Sequence, residues 1–334
     1  LARYLVRKKL GRGGMGEVYG CWDPVAQRHV ALKLIHGDLD DPFHRLCFER
    51  EVRTVRTVPH EHIVQLHDIG TLADRPFYTM ELLSGQPWSS LLDRPLPSAD
   101  EVRWTLGLFC QLLDGVHHLH RARLLHRDLK PDNIMIVPSS SVDGETQSMG
   151  IDDLIADPET SVKLMDFGLV LGFDDRPEAE ENEPGTPLYM APERHQSTGR
   201  ADPRSDLYSL GVLLYQTLTR TAPFESISDA ITGRRRPRDP SVIHPEIPPA
   251  IAALILEQLD PAPHRRAASA AELRTAIVTA LGDSDLKGHR IQAPVFSGRV
   301  DALETLDRLA SAVSAPSDTG GRLVLIDGSR DSGK

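Results

Sequence analysis

His126-Arg127-Asp128-Leu129-Lys130-Pro131-Asp132-Asn133 is the most specific string in the sequence. Asp166-Phe167-Gly168 follows it, behind the strand-like Val162-Lys163-Leu164-Met165. Gly185-Thr186-Pro187 and Ala191-Pro192-Glu193 come next, an order of catalytic strings that chance does not supply. Upstream, Gly11-Arg12-Gly13-Gly14-Met15-Gly16 matches G-x-G-x-x-G. A dinucleotide site would need a helix after those glycines, yet Glu17-Val18-Tyr19-Gly20-Cys21-Trp22 reads as a strand. The alternative is a hairpin whose glycine turn lies over a nucleotide's phosphates. A lysine should then follow on the next strand, and Val30-Ala31-Leu32-Lys33 supplies it.

Lys33 interrupts an apolar strand, and a buried ammonium is costly unless paired. The segment Pro42 to Val58 reads as a helix stopped by Pro59, with Phe43, Cys47, Val55 and Val58 on one face. At about 100° per residue Glu51 falls in the middle of that face, whereas Glu49 lies opposite, within reach of Arg53 at i+4. Glu51 is therefore the expected partner of Lys33. Strands are also expected at Leu5 to Leu10, His29 to Ile35, Ile63 to Gly70 and Phe77 to Leu82. After about residue 84 helices take over, at Asp100 to His120, Ser205 to Leu218, Pro249 to Leu259 and Ala268 to Leu281. The fold class is α+β: a small antiparallel sheet lobe with one helix, then a larger, mainly helical lobe.

These strings resemble the eukaryotic-type serine/threonine protein kinases, bacterial members included, over about Tyr4 to Leu281. The resemblance implies the two-lobed kinase fold, with residues 4–83 as the N-lobe, 84–281 as the C-lobe and ATP in the cleft. It also assigns roles. Leu10, Gly11, Arg12, Gly13, Gly14, Met15, Gly16, Glu17 and Val18 would cover the nucleotide, and Lys33, braced by Glu51, would hold its phosphates. Ala31 would lie against the base, Met80 would gate the back of the pocket, and Glu81 to Leu83 would form the hinge that bonds adenine. Asn133 and Asp166 are hard oxygen ligands suited to Mg2+. Asp128 would orient the substrate hydroxyl and accept its proton, and Lys130 would meet the γ-phosphate, which favours Ser/Thr over Tyr substrates. Thr186 would bond near Asp128 and Lys130, Asp206 would brace the catalytic loop, and Glu193 would pair with Arg266. Such a reaction needs alignment and charge neutralisation more than covalent help. The competing class is a nucleotide-binding, pseudokinase-like scaffold, but a scaffold has no physical need for Lys33, Glu51, Asp128, Asn133 and Asp166 together.

Two segments depart from the family pattern. Ser139 to Thr160 looks like an insertion of mobile-loop composition, with six acids and no Lys or Arg. Between Gly168 and Gly185 there is no Ser, Thr or Tyr to phosphorylate, while residues 173–183 hold six acids against one arginine. Those acids stand in for a regulatory phosphate opposite Arg127, attract basic substrates, or form a solvated loop. The two segments account for the charge of the whole chain, which has 38 Lys+Arg against 48 Asp+Glu, a net −10 over 334 residues.

An acidic chain is a poor default nucleic-acid binder. The sequence is 40% hydrophobic and 26% charged, which excludes disorder along its length. Cys21, Cys47 and Cys110 have no paired spacing, so they read as small buried hydrophobes in a cytoplasmic protein. No membrane segment is expected within these residues. Arg234, Arg235, Arg236 and Arg238 form a solvated loop or a docking patch. Residues 282–293 read as a linker, and residues 294–334 as the truncated start of an AAA-like or signal-transduction ATPase module. There the strand-like Arg322 to Ile326 enters Gly328-Ser329-Arg330-Asp331-Ser332-Gly333-Lys334, a G-x-x-x-x-G-K string whose following Ser or Thr lies past the end. Cut there, the tail should hydrolyse no nucleotide.

Overall fold

The computed structural model describes residues 3–13, 16–35, 56, 58–72, 75–138, 149–166, 171–172, 187–195, 202–232 and 235–282. They belong to one compact unit, Leu1–Arg290; a second unit, Ile291–Lys334, contains the whole expected ATPase start and lies outside the described residues. Most of the expected helix Pro42 to Val58, with Glu51 and Cys47, also lies outside them.

The chain begins with β1 (Leu5–Gly13), β2 (Gly16–Asp23) and β3 (Arg28–Ile35), continues with β4 (Leu66–Leu72) and β5 (Arg75–Glu81), and pairs them antiparallel in the order β1-β2-β3-β5-β4. Central β3 is buried from Val30 to Leu34, as expected of a strand covered on both faces. Its period of two divides the labour. Val30, Leu32 and Leu34 pack with Tyr4, Cys21 and Phe77, whereas Ala31 joins the main core beside Tyr78 and Met80. The β2–β3 turn is held by Asp23, whose Oδ1 accepts from Val25 N at 2.9 Å and Ala26 N at 3.2 Å. Strand β4 starts later than the sequence suggests, because Ile63 leaves this sheet and bridges Leu164.

The second lobe follows the short strand β6 (Gln86–Pro87), which pairs with β8 (Ile134–Val137); β8 in turn pairs with β9 (Ser161–Leu164). Helix α1 (Ala99–Arg121) starts at a capping box in which Ser98 and Glu101 satisfy each other's backbone N–H groups. The helix runs through the core on Leu106, Phe109, Leu113 and Val116. Between β8 and β9 lies α2 (Ile151–Ala156), and β7 (Leu124–Leu125) pairs with β10 (Leu171–Gly172). Helix α3 (Pro203–Thr219) is capped by Asp202, begins with proline and is buried almost all round, the mark of a core helix. Short helices α4 (Ile227–Thr232) and α5 (Pro240–Ile243) lead to α6 (Pro249–Gln258) and α7 (Ala270–Leu281), which close the core against α3 and α1. Cys21 and Cys110 are free thiols and buried, and burial pushes Cys110 up to about 12.

One expectation is corrected. The second half of the insertion, residues 149–160, is not loop throughout as its composition suggests, because it holds a short helix and an apolar anchor that its acidity masks. Leu154 is fully buried, Thr160 Oγ1 donates to Leu154 O at 2.6 Å, and Gln86 Nε2 donates to Met149 O at 2.9 Å. The acids Asp152, Asp153 and Glu159 occupy the outer face, where Asp152 accepts from Arg94 at 2.5 Å. Residues 139–148 lie outside the described residues.

Candidate active site

Strand β7 delivers the chain into the loop 126–130, and a 3-10 turn, Pro131–Asn133, hands it on to β8. Asp206, in the first turn of α3 and 1% exposed, holds this segment in place. Its carboxylate accepts His126 N and Arg127 N, each at 3.0 Å, and His120 Nε2 at 2.9 Å. Burial works against the charge, but His120 and the loop N–H groups outweigh it and hold the carboxyl below its ordinary range.

Asp128 is buried, with both of its side-chain donors on one oxygen. Oδ2 accepts Lys130 Nζ at 2.7 Å and Asn133 Nδ2 at 2.9 Å, so Oδ1 is the oxygen without a donor among the described residues. Burial alone would raise this carboxyl; the hydrogen bond and charge of Lys130, then His126 and Asn133, reverse the shift and lower it. Asp128 is therefore ionised at neutral pH and able to take a proton. Asn133 Nδ2 also donates to Asp128 O at 2.7 Å, so both amide bonds on the nitrogen side are spent and the side-chain oxygen is left for a cation.

The β8–β9 hairpin brings the second carboxylate alongside. Ile134 pairs with Leu164, and Met165 N donates to Asn133 O at 2.8 Å, which puts Asp166 one residue beyond the partner of Asn133. His126 ties the two segments together: Nε2 donates to Met165 O at 2.9 Å, which leaves Nδ1 to accept Asp128 N at 3.4 Å. Asp166 sits at φ 61°, and its Oδ1 forms an ion pair with Lys33 Nζ. Lys33 is 6% exposed and lies between Val18 and Tyr78 across the sheet. The expected partner Glu51 lies outside the described residues; among those residues the ammonium has Asp166.

Above Lys33, Leu10, Gly11, Arg12 and Gly13 end β1 opposite Gly16, Glu17 and Val18. Gly14 and Met15 lie outside the described residues. Gly16 must be glycine, since a Cβ there would meet Leu34 O at 2.4 Å. Ala31 and Met80 pair across β3 and β5 and are both buried. Glu81 is bonded to its neighbours: its N–H donates to Gln65 O at 2.9 Å, and its carboxylate accepts Gln65 N and Lys163 Nζ, both at 2.8 Å. Leu83 is half-buried against the core.

Glu193 and Arg266 meet in two bonds, Nη1 to Oε1 at 2.6 Å and Nη2 to Oε2 at 2.8 Å. Phe167, Gly168, Thr186 and the acidic residues 173–183 lie outside the described residues. The contacts of His120, Lys163 and Arg194 were not foreseen. Lys163 carried a signal, the outward position between buried Val162 and Leu164, but its partner on another strand did not.

The family model described as the protein kinase domain matches residues 4–276. The serine/threonine-protein kinase Pkn1 of Myxococcus xanthus is 33% identical over 319 residues, 93% of this chain and 42% of its own length. PknE of Mycobacterium tuberculosis is 33% identical over 287 residues, 84% of this chain and 47% of that protein. The chain thus spans less than half the length of these curated relatives. The crystal structure of the Mycobacterium tuberculosis PknI kinase domain matches with a TM-score of 0.60 at 23% identity, covering 84% of this chain and 96% of that one. That likeness is one of fold.

Proposed function

The chain belongs to the protein kinase domain family, and from that premise we propose that residues 4–281 form an ATP-dependent serine/threonine protein kinase. One observation carries the reading. The ionised Asp128 is clamped between Lys130 and Asn133, beside the hairpin that brings in Asp166 and Lys33. Oδ1 of Asp128 orients the substrate hydroxyl and takes its proton. Lys130 neutralises charge on the γ-phosphate, and Lys33 does so for the α- and β-phosphates. The glycine turn, residues 10–18, covers the phosphates, while Ala31, Met80, Glu81 and Leu83 line the adenine side. Asn133 and Asp166 offer the oxygen donors that suit magnesium. Magnesium bound there would neutralise phosphate oxygens as charge shifts to the leaving group.

The relatives' names, serine/threonine kinases, support that hydroxyl class, as does Lys130 beside Asp128. The unpaired spacing of Cys21, Cys47 and Cys110 supports a cytoplasmic kinase. The acidic stretch 173–183 suits substrates of basic context. The G-x-x-x-x-G-K string ending at Lys334 supports a downstream ATPase module in the same polypeptide, joined through a linker at 282–293. Incubation with γ-labelled ATP, magnesium and a basic protein, followed by phosphoamino-acid analysis, tests the reading. Label on serine and threonine is expected; label confined to tyrosine would overturn the substrate class.

A further inference from the structure

The peptide unit that leads into Asp128 is held at both ends. Its N–H, on Asp128, donates to His126 Nδ1 at 3.4 Å, and its carbonyl, on Arg127, accepts Nη1 of Arg194 at 2.6 Å. The two preceding N–H groups go to Asp206. Arg127 itself sits at φ 66°, a left-handed conformation that a residue with a side chain keeps only where its surroundings over-determine it. Asp206 and His126 hold donors of this strained segment; Arg194 holds an acceptor.

Arg194 reaches the loop from a firm base. It lies in the 3-10 turn Pro192–His195, where its own N–H donates to Ala191 O at 3.0 Å. The neighbouring Glu193 is locked in two bonds to Arg266, whose side chain is completely buried, and accepts Ser205 Oγ at 3.0 Å. Half-buried, the Arg194 guanidinium spans from that base to a residue 67 positions earlier. A charged donor at this distance makes one of the stronger hydrogen bonds available to a carbonyl. The carbonyl cannot turn without breaking it, and if the carbonyl turned, the peptide plane from which the Asp128 side chain departs would turn too.

We propose that Arg194 is a positioning residue for Asp128: by fixing the Arg127 carbonyl it sets the direction in which the proton-accepting carboxylate faces the substrate hydroxyl. The proposal rests on the kinase reading. Its action runs through Asp128, so its loss should matter only where Asp128 is present.

The test is a cycle of Arg194→Met and Asp128→Ala, singly and together, in labelled transfer from ATP to a peptide, with nucleotide KM and thermal melting measured on each protein. Misplacing a reacting group by about 1 Å costs on the order of 100-fold, so Arg194→Met should lower kcat by roughly 10- to 100-fold with ATP KM held within about twofold. In the Asp128→Ala background the same substitution should change the residual rate by less than about twofold, and Arg194→Lys should recover part of the loss in the wild-type background. An unchanged kcat, an equal loss in both backgrounds, or a loss that tracks ATP KM would overturn the proposal. If Arg194→Met does not fold, Arg194→Gln is read in the same cycle with the same outcomes. Absence of transfer by the wild-type protein would instead defeat the kinase reading on which the proposal stands.

Discussion

Asp206→Asn is a substitution of one atom at a carboxylate that three donors share. Oδ2 accepts His126 N and His120 Nε2, and Oδ1 accepts Arg127 N, in a site 1% exposed to solvent. An asparagine can put its oxygen where Oδ2 was and keep two of the three bonds. Its amide nitrogen then faces the Arg127 N–H, donor against donor. A buried donor left without a partner costs about 1–3 kcal/mol, and turning two charge-assisted bonds into neutral ones costs about 1 kcal/mol each, so the loss should be about 3–5 kcal/mol. For a chain of this size that corresponds to a fall in melting temperature of roughly 10 °C. Because the orphaned N–H belongs to the residue before Asp128, kcat should fall by at least about tenfold as well. Urea unfolding and a steady-state transfer assay on the same preparation read both quantities. Unfolding free energy within about 1 kcal/mol of wild type together with an unchanged kcat would refute the bracing argument.

Glu193→Ala strands the buried Arg266 guanidinium, which keeps the carbonyls of Asp260 and Arg204 and the ring of Tyr208. A broken buried pair costs about 3–5 kcal/mol, and with those partners retained the urea midpoint should report a value at the lower end. Acid should destabilise the protein through His62. Burial is the largest cause lowering its pKa from 6.5 to about 4, opposed by its hydrogen bond to Val162 O. A folded value below the unfolded one means that stability is full above pH 6.5 and is lost as pH falls toward 4. Between pH 7 and 5 this group alone should cost about 2 kcal/mol, and His62→Asn should remove that share of the pH dependence of urea unfolding.

The motif string 126–133 and the order of the strings after it were enough to name the lobes, because each element there obeys a local rule. Lys33 interrupts a short apolar strand, and the helical apolar periods of 100–120 and 205–218 fall within the helices Ala99–Arg121 and Pro203–Thr219. Glu193 with Arg266 and Asp206 with the catalytic loop were legible only through the resemblance, since their partners lie 73 and 80 positions away. In residues 149–160 composition misleads because it averages over a segment, and four acids outweigh the single fully buried Leu154 that anchors it. Arg194 left no mark in the sequence. Its function depends on a backbone carbonyl, which every residue has, and only the folded chain shows which one it meets.

The central claim is that Asp128 accepts a proton while Lys33, Lys130, Asn133 and Asp166 hold a phosphate donor. Initial rates of γ-phosphate transfer from magnesium-ATP to a seryl or threonyl peptide, for wild type and for Asp128→Ala, test it most directly. The wild-type protein should transfer phosphate and Asp128→Ala should lose at least about 100-fold, with ATP binding retained, because a positioned base contributes about 100- to 10,000-fold. Binding of ATP by both proteins with no transfer by the wild type above Asp128→Ala would contradict the account and leave a nucleotide-binding scaffold.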